Sequence, residues 1–384
     1  MLANPQFHVT IKRFNNFDPF NTSPHGSSGG YALEAMQVIH EEHPDVLAIF
    51  GDYLPQTAIY TAAMASYYEI PYCNPAAFSN ELLDRRKYGY FMQMENMSWN
   101  GLAVMRLFQQ WNVKRITLIC SRTYASMCND MKVLSQQNGI VILANIDLDS
   151  FTDLDGIHYI GKTLLRVDAR YIFIFGDSNR VADLYYELAS KKIAHGPGYV
   201  WIGQYPYGTF KTIELYGPDY FKFNKGFINF FAQNYVTPQM AVVNDNFIHA
   251  VQNVSALPEF NIIDANAVNM LQGYDCTGLL LAGVQKMMLS ATYSPSLMNS
   301  TYFMNTDFVG VEGDPLQVTN TGDLAAPFQF VSFDGVSIEE ESWIPFAILD
   351  VKNGSFRNNV DGKTPVFYDN TTIPPPDGPI LAES

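Results

Sequence analysis

Residues Gly156-Ile157-His158-Tyr159-Ile160-Gly161-Lys162-Thr163 spell G-x-x-x-x-G-K-[ST], the formal pattern of a phosphate-cradling loop. Such a loop needs an apolar strand before its first glycine and a long helix after its lysine, with backbone amides turned toward the phosphate. Here Asp153 and Asp155 bring negative charge to the place a phosphate would take, and the loop interior holds His158 and Tyr159. The next apolar run, Tyr171 to Phe175, follows too closely for a normal crossover. The motif therefore reads as part of a short helix, and ATP hydrolysis is not expected. His40-Glu41-Glu42-His43 places its histidines three apart, not the four of H-E-x-x-H, and Pro44 stops the helix there. No G-x-S-x-G, no Cys/His nucleophile setting and no G-x-G-x-x-G after a strand occurs. Acidic pairs such as Asp153/Asp155 and Glu339 to Glu341 read as solvated loop charge. The expectation is a chain that is not an enzyme, with no metal site and no cofactor.

Four cysteines, at 73, 120, 128 and 276, form no C-x-x-C pair and are too few for a disulfide scaffold in 384 residues. Buried free thiols are the expectation, with a Cys120–Cys128 pair across a strand-to-helix turn as the alternative. Six N-x-[ST] sequons, at Asn21, Asn96, Asn253, Asn299, Asn353 and Asn370, lean toward the secretory route as glycosylation acceptors. A net charge of -15 argues against nucleic acid as a partner, because binding it displaces counterions with Lys and Arg. The 47% hydrophobic share excludes a disordered chain. No apolar run reaches the roughly 20 residues that span a bilayer. Met1 to Pro5 has neither the basic flank nor the apolar core of a signal peptide.

The elements that must carry these residues alternate between strand and helix, which predicts an α/β fold of mostly parallel sheets. Strands are expected at His8–Arg13, Val46–Gly51, Pro71–Cys73, Arg115–Cys120, Ile140–Ile146, Tyr171–Phe175 and Tyr199–Gly203. Helices are expected at Gly30–His43, Thr57–Tyr68, Asn100–Trp111, Tyr124–Asn138, Val181–Lys192 and Asn266–Leu289. Shorter strands follow at Phe308–Val311, Gln329–Phe333 and Trp343–Leu349. The tail from Thr372 to Ser384, with Pro374, Pro375, Pro376 and Pro379, reads as an extended linker. In open parallel sheets ligands bind beyond the carboxyl ends of the strands. Here those ends are the loops Asp52–Gln56, Asn74–Asn80, Ser121–Ala125, Gly176–Asn179 and Gln204–Tyr207.

Several stretches in order carry a known pattern: GDYLPQTAIYTAAMA, EIPYCNPAAFSNELLDRRKYGYFMQ, WNVKRITLIC, DARYIFIFGDSNRVADLYYELASKKI, YVWIG, a helix from Tyr274-Asp275, and FVGVEGDPLQVTNTGD. The chain resembles the type I periplasmic-binding-protein fold as used in receptor ectodomains, from about residue 8 to 372. These are the ligand-binding regions of natriuretic-peptide-type receptors and class C G-protein-coupled receptors, the metabotropic GABA receptor among them. The resemblance implies two lobes closing on a small ligand: 1–93 plus 245–315, and 94–244 plus 316–371, with 372–384 as a membrane-proximal linker. It also implies one more strand and helix ahead of His8, so a start short of the family's is expected, which would also account for the missing signal peptide. Amino-acid-binding relatives use a Ser or Thr pair to hold the ligand. The matching loops give Gln56 and Thr57, then Asn74, Phe78 and Ser79, with Phe78 in place of the usual Thr. From the second lobe Tyr124, Asp177 and Tyr205 match cleft-facing positions, Asp177 as a partner for an ammonium.

The implied protein is the extracellular ligand-sensing part of a membrane receptor, held to the membrane by a segment outside this chain. It is expected as a homo- or heterodimer, with Thr57–Tyr68 as a candidate face unless its alanines pack inside the lobe. The alternatives are a free solute-binding protein of a transport system and a ligand-silent dimer partner.

Overall fold

A computed structural model describes residues 10–14, 28–52, 55–75, 80–94, 100–151, 153–176, 178–203, 219–232, 267–289, 300–303, 306–313, 315–336, 343–351 and 353–378, with isolated positions between 206 and 249. The chain divides into two compact units, Met1–Ser98 with Asn234–Ala326, and Trp99–Gln233 with Pro327–Ser384.

Unit 1 holds a three-stranded parallel sheet, β1 (Ile49–Phe50), β2 (Tyr72–Asn74) and β3 (Phe91–Gln93), in that order. Among its described helices are α1 (Ser28–Glu42), α2 (Pro55–Tyr67), the 22-residue α8 (Ala267–Met288) and the single turn α9 (Ser300–Phe303). The alanines of α2 at 58, 62 and 65 recur at helical spacing and are fully buried with Met36, Ile39, Tyr72 and Phe91. The small-residue face is thus core, and the helix presents Tyr60 and Tyr67 to solvent instead. Residues 10–14 form no regular strand, and β1 is shorter than the apolar run Val46–Gly51 suggests.

Unit 2 is built on eight strands in the order β11-β10-β9-β8-β7-β6-β4-β5. The parallel part comprises β4 (Arg115–Cys120), β5 (Val141–Asp147), β6 (Tyr171–Phe175), β7 (Val200–Gly203) and β8 (Ile228–Ala232). Antiparallel β9 (Phe328–Phe333), β10 (Trp343–Asp350) and β11 (Ser355–Asn358) complete it. Helices α3 (Asn100–Gln110), α4 (Ala125–Gln137), α5 (Leu154–Arg166), α6 (Ser178–Ser190) and α7 (Asp219–Phe223) accompany the parallel part. Residues 171–174 and the whole of β7 are buried, as expected of strands covered on both faces. Gly203, at φ 148°, ends β7 where an added Cβ would strike the Ile174 carbonyl, so no other residue fits there.

Further expectations change. Both cysteine pairs form disulfides, Cys73–Cys276 with Cα atoms 5.5 Å apart and Cys120–Cys128 at 6.3 Å, so no thiol is free. The first pair arises because α8 packs beside β2, which brings residues 203 apart in sequence together. Phe308–Val311 is irregular, its following amides being bound by the Asp275 carboxylate at Val311 (2.6 Å) and Glu312 (2.8 Å). The described part of the tail that reads as a linker, 372–378, is tied to unit 2. Tyr171 donates its hydroxyl to the Pro375 carbonyl (2.7 Å), and Asp377 accepts the amides of Lys114 and Arg115, the latter at 2.8 Å.

The G-x-x-x-x-G-K-T segment lies inside α5, longer at 13 residues than the short helix expected. Asp153 is its N-cap, accepting from the Gly156 amide at 2.8 Å, and Lys162 points outward. Gly161 is a packing glycine: an added Cβ would sit 2.8 Å from Leu188 and 2.9 Å from Ile193. His40, near the end of α1, stacks on Tyr68 with ring centroids 3.9 Å apart.

Candidate functional site

In unit 1 the carboxyl ends of β1 and β2 converge on the turn that leads into α2. Asn74, the last residue of β2, is fully buried, and its amide nitrogen donates to the carbonyls of Gly51 (2.8 Å) and Asp52 (3.0 Å). The same nitrogen lies 2.9 Å from the Tyr72 hydroxyl. Tyr72 in turn donates to Asp52 Oδ2 at 2.5 Å and to the Gly51 carbonyl at 3.2 Å. Burial, reinforced by the Asp52 charge, pushes the Tyr72 phenol well above its ordinary value, so it stays a neutral donor. Asp52 itself takes φ 62°, a left-handed conformation uncommon outside glycine. Asn74 therefore fixes the backbone of the β1–α2 turn, a positioning task that its predicted ligand role did not include.

Thr57 sits buried in the first turn of α2, where its carbonyl accepts from the Thr61 hydroxyl at 3.3 Å. Gln56 belongs to the same turn, but its side chain lies outside the described part of the structure, as do Phe78 and Ser79 entirely. At the end of β3, opposite Asn74 in register, Gln93 is fully buried and neither side-chain amide atom finds a hydrogen-bond partner among the described residues. Asp275 is fully buried in the same unit. Burial raises its carboxyl to about 6, while the Val311 and Glu312 amides pull the other way.

In unit 2 the turn after β4 is a short 3-10 helix, Arg122–Tyr124, bracketed by the Cys120–Cys128 disulfide. Tyr124 is half-buried and meets the Phe175 ring edge-on, with centroids 5.1 Å apart. Ser121, buried before it, has no hydroxyl partner among the described residues, while its amide donates to the Phe175 carbonyl at 3.0 Å. The outer rim is a charged network. Arg122 donates to Asp147 at 2.9 Å and to Ser150 at 3.2 Å, and its amide donates to Asp149 at 2.7 Å. Hydrogen bonding to Asp147 holds the Arg122 guanidinium above its usual range. Asp177 and Tyr205 lie outside the described residues.

Within each unit, then, the polar residues gather at carboxyl ends of parallel strands, Thr57 and Asn74 in one and Tyr124 in the other. Asp52, Tyr72, Gln93 and Ser121 were not singled out by sequence reasoning. The left-handed turn at Asp52 is one that aspartate enters more readily than most residues, and its place right after Gly51, which follows β1, was a second signal. Of the sequons, Asn353 and Asn370 lie on exposed turns; Asn353 donates to Asp350 at 3.1 Å and Asn370 accepts from Lys225. Asn21, Asn96, Asn253 and Asn299 lie outside the described residues. Among the described residues no helix is long and apolar enough to cross a membrane.

Residues 5–335 match the family profile described as the receptor family ligand binding region. The chain matches no curated protein.

Proposed function

We propose a sensing role from one premise: the chain belongs to the family of receptor ligand-binding regions, type I periplasmic-binding-protein-like in fold. It acts as the extracellular ectodomain of a membrane receptor, taking a small polar ligand and signalling by closure. The observation that carries this reading is the extent of the family match, which runs through both units. It is supported by the polar groups at the carboxyl ends of the parallel strands of each unit, where such sheets bind their ligands. The ligand would be held by Gln56, Thr57, Phe78 and Ser79 from unit 1 and by Tyr124, Asp177 and Tyr205 from unit 2, with Asn74 shaping the turn behind them. The signal is then the difference in the ligand's affinity for closed and open forms. The exposed sequons Asn353 and Asn370 agree with a secreted, glycosylated surface, and dimerisation with a second receptor chain belongs to the same reading.

The test is thermal unfolding of the secreted chain against amino acids, amines, purines and Mg-ATP. A ligand at ~100 times its Kd adds about 2.7 kcal/mol, a shift of a few degrees. A hit that Tyr124→Ala weakens supports the site. A cooperatively melting chain that answers to nothing in the panel points to a ligand-silent dimer partner instead.

A further inference from the structure

His195 lies in the turn between α6 and β7 of unit 2 and is only 8% exposed. Its Nε2 sits 2.8 Å from the Phe223 carbonyl at the end of α7 and 3.3 Å from the Tyr185 hydroxyl of α6. A carbonyl only accepts, so Nε2 carries the hydrogen, and Nδ1 is the bare nitrogen of the neutral ring. Tyr185 donates its hydroxyl to the same carbonyl at 2.6 Å. From the other side Tyr368 meets the imidazole edge-on, with centroids 5.2 Å apart. Tyr368 belongs to a turn closed by the Phe367 amide, which donates to the Thr371 carbonyl at 2.9 Å. The Val366 amide donates to the Ser332 hydroxyl of β9 at 3.0 Å, and Lys225 donates to Asn370. At Gly226 an added Cβ would lie 2.6 Å from the Tyr368 nitrogen, so the two backbones run in close contact. His195 thus stands between α6, α7 and the segment 366–371.

A cavity of about 10 Å³ adjoins the ring, with Tyr185, Tyr199, Trp201, Lys225 and Tyr368 in its wall and no carboxylate among its lining residues. Lys225 is the cation of that wall, and Arg170 lies over the Tyr199 ring at 4.8 Å. On α7 Lys222 is exposed, as are Lys191 and Lys192 ahead of the turn. The carboxylates of the neighbouring elements are engaged elsewhere: Glu187 of α6 by Lys191 and His158, Asp168 by Arg170, and Asp369 by the Thr371 hydroxyl. A proton added at Nδ1 would enter a pocket that holds a cation and no anion. Burial already pushes the imidazole below its ordinary value, with the Phe223 hydrogen bond pulling the other way.

We infer that His195 is a pH-sensitive latch: neutral, it holds the segment 366–371 against α6 and α7, and in mild acid its protonation loosens that segment from unit 2. The sign follows from the open state, in which the ring meets water and takes its ordinary 6.5. Above that value the ring is neutral in both states and the latch holds in full. As the pH falls through 6.5, the open state gains a proton that the docked state refuses. Opening then becomes up to ~tenfold easier per pH unit, until the docked ring protonates as well. The next anchors along the chain are Pro375 and Asp377, so the stretch set loose is the one between β11 and that dock.

The experiment is hydrogen exchange at pH ~7.5 and ~5.5, corrected for the intrinsic change of rate, on the Phe367 and Asn370 amides and on those of β6. In the wild-type chain opening at 367 and 370 should rise ~tenfold between the two conditions, with β6 changing far less. His195→Gln keeps an N–H for the Phe223 carbonyl but does not titrate, and its opening should be the same at both. A rise as large in His195→Gln overturns the inference, as does no rise in the wild-type chain or a rise shared equally by β6. The imidazole resonance of the wild-type chain is a check that needs no variant. It should stay that of a neutral ring as the pH falls through 6.5, and a ring that titrates there or higher overturns the latch.

Discussion

Unit 2 has eight strands in one ladder, and its interior strands are apolar almost throughout; unit 1 has three described strands of two or three residues each. Their cohesion differs accordingly. In unit 2 the sheet buries Ile119, Ile172, Ile174, Trp201 and Phe333 against Ile160, Leu164, Tyr185 and Leu188 of α5 and α6. In unit 1 much of the order comes from discrete ties. Cys73–Cys276 joins β2 to α8, and Asp275 holds the loop at 311–312. Arg85 donates to the carbonyls of Gly89 (2.6 Å), Phe91 (2.5 Å) and Thr321 (3.4 Å), with burial lowering its guanidinium to about 10. Asp323 gathers the hydroxyls of Thr319 and Thr321. A small sheet buries too little apolar area to fix its surroundings by packing, and cross-links and polar ties then carry more of the order.

The largest way to break this contrast is through the disulfides. A cross-link of residues 203 apart is worth about 5 kcal/mol in the chain-entropy picture, and one of residues 8 apart about 2.5. Replacing Cys73 and Cys276 by Ser should therefore lower the denaturation midpoint of unit 1 about twice as much as replacing Cys120 and Cys128 lowers that of unit 2. Chemical unfolding followed by hydrogen exchange assigns each loss to its unit; equal losses would refute the contrast.

Acid should separate the units in opposite directions. The folded Asp275 carboxyl is raised from 3.8 to about 6, so between those pH values the folded chain holds a proton that the unfolded chain has released. Its ionisation penalty, at most about 3 kcal/mol, is full above pH ~6 and is relieved as pH falls toward ~4. Glu187 of unit 2 is held below its ordinary 4.5, chiefly by the Lys191 hydrogen bond, and its contribution fades as the carboxylate protonates in acid. Melting curves of wild type and Asp275→Asn between pH ~4 and ~7.5 should differ in slope for unit 1, the variant being flatter. Parallel slopes would sink this reading.

The smallest effect tests local order in the better packed unit. Asp153→Ala removes the cap of α5 and should cost about 1 kcal/mol, read as faster amide exchange in the first turn of that helix. A loss several times larger would mean that the unit's order also hangs on single ties.

The same contrast governs how much of the molecule the sequence discloses. β4 and β6 are legible to the residue, because doubly covered strands read as apolar runs bounded by turn signals. β8 is not, since its INFFA lies in a stretch, FKFNKGFINFF, whose aromatics give no boundary. β3 is three residues long, too short for any period to declare itself. FVGV at 308–311 has strand chemistry, yet a buried carboxylate takes the amides of its last residue and of the next one. The Cys73–Cys276 pair and the left-handed Asp52 depend on contacts between distant segments and on backbone angles, which residue types alone do not encode. Thr57, Asn74 and Tyr124 come from the family resemblance and lie beside strand ends, and Asn74's task in the turn emerged from its hydrogen bonds.

The docking of 375–377 has a mechanical side. Pro375 is fastened to Tyr171, the first residue of β6, and Asp377 to Arg115, the first residue of β4. A pull on Gly378 therefore loads two neighbouring strands lengthwise, from their amino ends. Because both are loaded from the same end, the load falls on the rungs that tie the pair to β5 and β7 and not on the rungs between them. The far ends of the same two rods carry Phe175 and the turn that holds Ser121 and Tyr124. The tail is thus tied to one end of the same two strands whose other ends carry that turn.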